Sequence, residues 1–209
     1  VLVELLAVTP DAERVIEQAG RTCYMSRSRI TSESSEKFIR MLIAKEHLSV
    51  LEHASAAFRI CGISRVSTHQ LVRHRLCSFS QRSQRYVRET ADHFVTPPSI
   101  SGNPEARRIF DRAVAASLEA YTHLLQLGVP KEDARFVMPN ATESEIVLSA
   151  NFRELRHIIL ARGSKHAQWE VRSIAVEILK IMKQRAPNVF ADISVNRDGC
   201  VEKHHSNQA

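Results

Sequence analysis

The run from Arg73 to Arg88, RHRLCSFSQRSQRYVR, sets the terms on which this chain can fold. Its sixteen residues hold five arginines, one histidine, three serines and two glutamines. No carboxylate lies between Glu52 and Glu89 to neutralise them. A charge buried without a partner is very costly, so this run cannot be core. The core must come from the segments on either side, leaving the run where an anion can reach it. The same bias marks the whole chain, with 22 arginines against seven lysines and a formal net charge of +6. Arginine is the side chain for planar, two-point recognition of phosphate and carboxylate. Two kinds of partner fit: small phosphorylated ligands, or RNA with Phe79 and Tyr86 as stacking platforms. Residue chemistry alone does not choose between them.

The rest of the 209 residues has a globular balance, 44% hydrophobic and 25% charged. That is enough apolar surface to offset chain entropy, which argues against disorder. Uninterrupted apolar runs reach about four or five residues, far below the roughly 20 that a membrane helix needs. The apolar opening Val1 to Val8 is broken by Glu4 and has no basic leader, so it does not read as a signal peptide. Cys23, Cys61, Cys77 and Cys200 form no CxxC pair, and reduced thiols in a cytoplasmic protein are expected. No HExxH occurs among the ten histidines, and His69 and His74 are poorly spaced for one helix face. No metal site is therefore expected.

Periodicity and turn chemistry place the elements. Val1 to Thr9 reads as a strand. Thr9-Pro10-Asp11 then opens a helix with Thr9 as cap and Val15, Ile16 and Ala19 on one face. A second helix carries Phe38, Met41 and Leu42. Glu52 to Gly62 suits a strand, and Ile63 to Cys77 a helix with Val66, Leu71 and Val72 inward. From Ser78 to Arg88 no period is visible. Asn103-Pro104-Glu105 opens a long helix that stops at Gly128, and Pro130 opens a short one. Glu145 to Asn151 reads as a strand, Arg153 to Arg162 as a helix ended by Gly163. Ser164 is the expected cap of the last helix, which carries Trp169, Ile174, Val176 and Leu179. This order predicts an α+β (mixed α/β) fold: a single compact domain over residues 1–195, a central sheet flanked by helices, and a polar tail over 196–209.

Arg73, His74, Arg75, Ser78, Ser83, Arg85 and Tyr86 fit the pattern RHRxxSxNxxSxRY, with Ser80 where Asn is usual. That pattern is the signature of the flavin-dependent thymidylate synthases, which this chain resembles. The likeness extends in patches from about Arg21 to Val189. It includes His47-Leu48-Ser49 with Leu51-Glu52-His53, then Gln70, Ala134-Arg135 with Pro139, Asn151-Phe152-Arg153, and Arg162 to Glu170. The resemblance implies reductive methylation of dUMP to dTMP. The carbon comes from 5,10-methylenetetrahydrofolate and the hydride from FAD reduced by NADPH or NADH. It also implies a homotetramer with shared active sites.

The resemblance further implies roles for individual residues. Ser49, Arg73, His74, Arg75, Gln81, Asn151, Phe152, Arg153 and His157 are expected around FAD. His157 stands where an Asn is familiar. Gln70, Leu71, Val72, Arg73, Gln81, Arg82, Ser83, Gln84, Arg85, Arg135 and Arg162 are expected around dUMP. Arg82 occupies a free position of the pattern and reads as a surface side chain. Arg162 matches the family's activating arginine and is the expected catalytic residue. His47 is a candidate for the folate or nicotinamide side, with a structural hydrogen bond as its alternative. Cys77 falls at a variable position and reads as small apolar filler, not a nucleophile. A basic RNA-binding module built on the Arg73–Arg88 loop is the rival reading.

Overall fold

The computed structural model describes residues 1–90 and 93–204. Six strands and eight α-helices are distributed along them, in the order β1 Leu2–Val8, α1 Ala12–Thr22, α2 Ser34–Ala44, β2 Ser55–Ser64, α3 Arg65–Leu71 and β3 Ser78–Gln81. There follow α4 Pro98–Ser101, α5 Pro104–Gln126, α6 Lys131–Ala134, β4 Glu143–Asn151, α7 Phe152–Gly163, α8 Trp169–Arg185, β5 Ile193–Val195 and β6 Val201–Lys203. The first four strands make one sheet in the order β1-β2-β4-β3. The expected α+β class, with a sheet and flanking helices, is the fold observed. No helix among the described residues is long and apolar enough to cross a membrane.

Contacts group the chain into two compact units. The first contains Val1–Ile60, Val72–Phe79 and the chain from Val147 on; the second contains Cys61–Leu71 and Ser80–Ile146. Strand β2 passes from one to the other at a visible break in its pattern. Ala56, Phe58 and Ile60 are buried alternately, and then Ile63 and Ser64. The alternation slips by one across Gly62, whose φ of 67° suits a residue without a Cβ. Strand β4 shows no slip, since Ser144, Ile146, Leu148 and Ala150 are buried in turn.

The core of the first unit is the pairing of α7 with α8. Leu155, Ile158 and Ile159 of one helix and Val171, Ile174, Ala175 and Ile178 of the other are fully buried. Asn151 starts α7, its Oδ1 accepting the Glu154 N–H at 2.9 Å. Gln168 starts α8, its Oε1 accepting from Glu170 and Val171. Arg156 of α7 donates to both oxygens of Asp192 at 2.7 Å and to the Val189 carbonyl. That buried pair fixes the segment between α8 and β5. The hairpin that follows pairs Ile193 with Lys203 and Val195 with Val201, antiparallel. Val201 lies against Gly163 so tightly that a Cβ at that glycine would sit 2.2 Å from Val201 Cγ2.

Several sequence expectations are corrected. Thr9 does not cap α1. Its hydroxyl instead exchanges hydrogen bonds with the Ser55 backbone, and Asp11 precedes the helix in a left-handed conformation, φ 45°. Ser164 does not cap α8; Gln168 does, four residues on. The helix expected over Ile63 to Cys77 ends at Leu71, so Val66 and Val72 are exposed while Leu71 is buried. The aperiodic stretch after Cys77 contains β3, a strand too polar to alternate visibly. The expected tail over 196–209 begins with the β5–β6 turn and β6, in which Cys200 and Val201 are buried. Residues 205–209 of that tail, including His205, lie outside the described residues.

Candidate active site

In the first unit, the turn after α3 presents three consecutive motif residues in alternating directions. Arg73 and Arg75 are exposed and, with Val72, line one surface cavity. Neither guanidinium has a hydrogen bond or ion pair with another described residue. His74, between them, is buried at 7% exposure. Its Nδ1 lies 3.3 Å from Glu154 Oε1, and its Nε2 accepts from Arg162 Nε at 2.9 Å. The His157 ring stands edge-on to it, centroids 5.5 Å apart. Burial, followed by the Arg162 charge, lowers the His74 pKa from its usual range, against the upward pull of Glu154.

Ligand atoms of His74, Glu154 and His157 lie within 4.8 Å of one another, the spacing of a metal cluster. Both nitrogens of His74 are already engaged, one of them by a cation. The cluster is therefore organised as a hydrogen-bond network around a neutral imidazole. Cys77, close by in sequence, has its thiol pushed up to about 12 by burial and by the Glu154 charge. A shift in that direction disfavours the thiolate that nucleophilic attack requires.

The other residues expected around FAD fall as follows. Ser49 is exposed in the helical turn Leu48–His53, which His47 precedes. Asn151 spends its Oδ1 on the α7 cap. Arg153 is exposed and ion-paired with exposed Glu52. His157 is exposed beside His74. Phe152 is core, its ring 5.9 Å from that of Phe190, so only its backbone can meet a ligand. Gln81 lies in the second unit.

That second unit carries most of the residues expected around dUMP. Gln81 donates to Thr68 Oγ1 and Ser144 Oγ, both at 3.2 Å. Arg82 is not the surface residue expected from its free position. It donates to buried Glu89 at 2.9 Å and to the Glu143 carbonyl. Ser83 accepts the Arg85 N–H at 3.3 Å, and Arg85 lies 3.6 Å from Glu132. Gln84 is buried with its amide nitrogen unpaired, as is Glu89 with one carboxylate oxygen. Arg135 is half-buried and donates to the Glu132 carbonyl. Gln70 is half-buried and Leu71 fully buried, which confines Leu71 to a backbone role. Arg65 joins this group without a motif to announce it. Burial and then the Arg135 charge lower its pKa, Glu89 opposing and Arg82 adding to the fall.

Sequence reasoning missed Glu154, Glu89 and Arg65. Glu154 is separated from His74 by 80 positions and carries no local signal. Glu89 had one: it is the first carboxylate after the arginine run.

A mixed α/β fold bearing two exposed guanidiniums with no partner among the described residues, beside a buried histidine, is suited to phosphorylated small molecules. The comparisons with known proteins narrow that reading. The sequence pattern of the family "Thymidylate synthase complementing protein" matches residues 4–188. A flavin-dependent thymidylate synthase of Geobacter sulfurreducens is 45% identical over 198 residues, 91% of this chain and 85% of that protein. One from Mycobacterium marinum is 42% identical over 200 residues, 88% and 80% of the two chains. Among solved structures, a UMP/dUMP methylase from Streptomyces cacaoi bound with 5-Br dUMP superposes with a TM-score of 0.81 and 26% identity, covering 91% of this chain and 93% of that one. Thymidylate Synthase X from Helicobacter pylori, with FAD and dUMP, shares the fold at a TM-score of 0.79 and 23% identity, covering 92% and 98%. This chain belongs to the flavin-dependent thymidylate synthase family.

Proposed function

We propose that the chain converts dUMP to dTMP by reductive methylation, using 5,10-methylenetetrahydrofolate and FAD reduced by NADPH. The observation that carries this reading is the pair Arg73 and Arg75, two partnerless guanidiniums on one cavity flanking a buried neutral histidine. Such a pair can take an anion of more than one charge, and a dinucleotide's pyrophosphate is one. The donor set therefore fits FAD, with Arg73, Arg75 and the exposed side chains Ser49, Arg153 and His157 to hold it; both ring nitrogens of His74 are engaged within the protein, so that side chain positions and does not bind the cofactor. When bound, FAD supplies the hydride chemistry.

The protein's own part is to bind, orient and polarise. Uracil C5 is a weak nucleophile, and Cys77, with its thiol pushed up by burial, is poorly suited to activate it by adding at C6. A guanidinium donating towards N3 and O4 stabilises the negative charge that develops as C5 attacks, and Arg162 is the residue with that role. Ser83, Gln84, Arg85 and Arg135 bind the nucleotide, Gln84 with an amide that lacks an internal partner. The Ser83 hydroxyl binds and does not form a covalent intermediate. The catalytic portion extends beyond residue 195 to include β6, and the enzyme works in the cytoplasm as a homotetramer. The proteins it matches are named for nucleotide methylation, and the RNA-binding reading gains nothing from them.

The test is tritium release from C5-labelled dUMP with FAD, methylenetetrahydrofolate and NADPH. Wild-type protein should release tritium. Arg162→Ala should keep its fold and flavin and lose about 10²-fold or more in turnover, the scale of one lost charge-stabilising group. Arg162→Lys should rescue little, because a point charge cannot reproduce the planar fork. A folded wild-type protein that takes up no flavin and releases no tritium refutes the assignment.

A further inference from the structure

The activating role of Arg162 demands a fixed guanidinium, and the chain contains a device that fixes it. Arg162 is the penultimate residue of α7, where a long side chain has many rotamers to lose. Its Nε–H donates to His74 Nε2 at 2.9 Å. Arginine is never an acceptor, so that nitrogen must present its lone pair. The proton of the neutral ring then resides on Nδ1, which faces Glu154 Oε1 at 3.3 Å. A carboxylate accepts and does not donate, so it selects this tautomer and no other. Glu154 and His74 are each 7% exposed, which keeps water from competing for either bond. Glu154 and Arg162 are eight residues apart, roughly 12 Å along the α7 axis, and the imidazole bridges them. Because the guanidinium is planar, fixing Nε–H fixes the plane of both terminal nitrogens as well.

We propose that Glu154 is a positioning residue that aims Arg162 through His74, by holding the imidazole as its Nδ1–H tautomer. The proposal rests on the assignment of Arg162 as the uracil-activating group. Neutrality of the ring agrees with it, since burial and the Arg162 charge both disfavour the imidazolium. Loss of the Glu154 acceptor frees the ring to carry its proton on Nε2. That proton would then face the Arg162 Nε–H, donor against donor, and the bond that sets the guanidinium plane would be lost.

Two variants of similar volume separate aiming from space-filling. Glu154→Gln retains an oxygen that can accept from Nδ1–H, whereas Glu154→Met retains only bulk. With full enzyme reconstituted with FAD, Glu154→Gln should keep kcat within about threefold of wild type, and Glu154→Met should lose about tenfold or more. The loss should fall on kcat more than on KM for dUMP. In an Arg162→Ala background the Glu154→Met change should cost less than about twofold, because its effect has no route left. Equal losses in the Gln and Met variants, or costs of Glu154→Met and Arg162→Ala that multiply, overturn the proposal. A second readout needs no turnover: ¹⁵N spectra of histidine-labelled wild-type protein should give His74 protonated on Nδ1 and bare on Nε2. The opposite tautomer overturns the proposal even if the Met variant does not fold. Absence of tritium release from wild type, with the Nδ1–H tautomer present, refutes the activity and leaves the Glu154–His74–Arg162 geometry standing.

Discussion

Gly163→Ala is a substitution whose sign is decided by one contact. Gly163 closes α7 with a negative φ, so alanine is conformationally acceptable there. On helix propensity alone, alanine would be favoured by up to about 1 kcal/mol. The new Cβ, however, would lie 2.2 Å from Val201 Cγ2 and 2.5 Å from Val201 Cβ. That is more than 1 Å inside ordinary contact. A rotamer change cannot relieve it, because Val201 Cβ is placed by the backbone of β6. Strand and helix must separate, and overpacking of this kind costs about 1–3 kcal/mol. The expected net effect is a loss of roughly 1–2 kcal/mol, read from urea unfolding, accompanied by a fall in kcat because Arg162 is the next residue. Val201→Gly removes the obstruction, so in that background Gly163→Ala should be neutral or stabilising. Gly163→Ala protein as stable as wild type, with Val201 intact, would refute the argument.

Three further outcomes follow from the same packing and charges. Arg156→Met should destabilise by about 3–5 kcal/mol, because it strands Asp192 as a buried charge, and adding Asp192→Leu should recover most of it in denaturant titrations. Cys77→Ala should retain flavin and turnover within about twofold, and iodoacetamide should label exposed Cys23 well before Cys77 in mass spectra. The folded-state pKa of His74 lies below its ordinary value of about 6.5, so between those two values the unfolded chain binds more protons than the native one. The His74 contribution to stability should therefore fall as pH drops below about 6.5 through the depressed value, and it is fully present above about 6.5. His74→Gln should flatten that part of a melting-temperature profile.

What the sequence made legible was local. Asn103-Pro104-Glu105 carries its own start signal within four residues, and Asn103 caps α5 by accepting from Glu105 and Ala106. The alternation of Ile146 and Leu148 sits on a strand buried on one face. The motif Arg73-His74-Arg75 announced an anion site because a run of guanidiniums with no carboxylate nearby in sequence cannot be buried and is left where an anion can reach it. Illegible features depended on contacts between distant residues. Thr9 satisfies its hydroxyl on Ser55, 46 positions away, and so is lost as a cap. Strand β3 has exposed Ser78 and Ser80 and half-buried Phe79 and Gln81, a pattern with too little apolar contrast to register. Arg82 looked like surface until Glu89 closed on it. Glu154 looked like any acidic residue in a first helical turn, and only the fold brings His74 to it.

The hairpin of β5 and β6 lies beyond residue 188, where the match to the family pattern stops. The family pattern therefore stops short of a segment that packs against α7. Val201 bears on the residue next to Arg162, so a segment outside the recognised family region holds one wall of the mechanism. Trimming the chain to its matched portion, as is common when expressing a family domain, would remove that wall. It would leave every motif in place while loosening the arginine they serve.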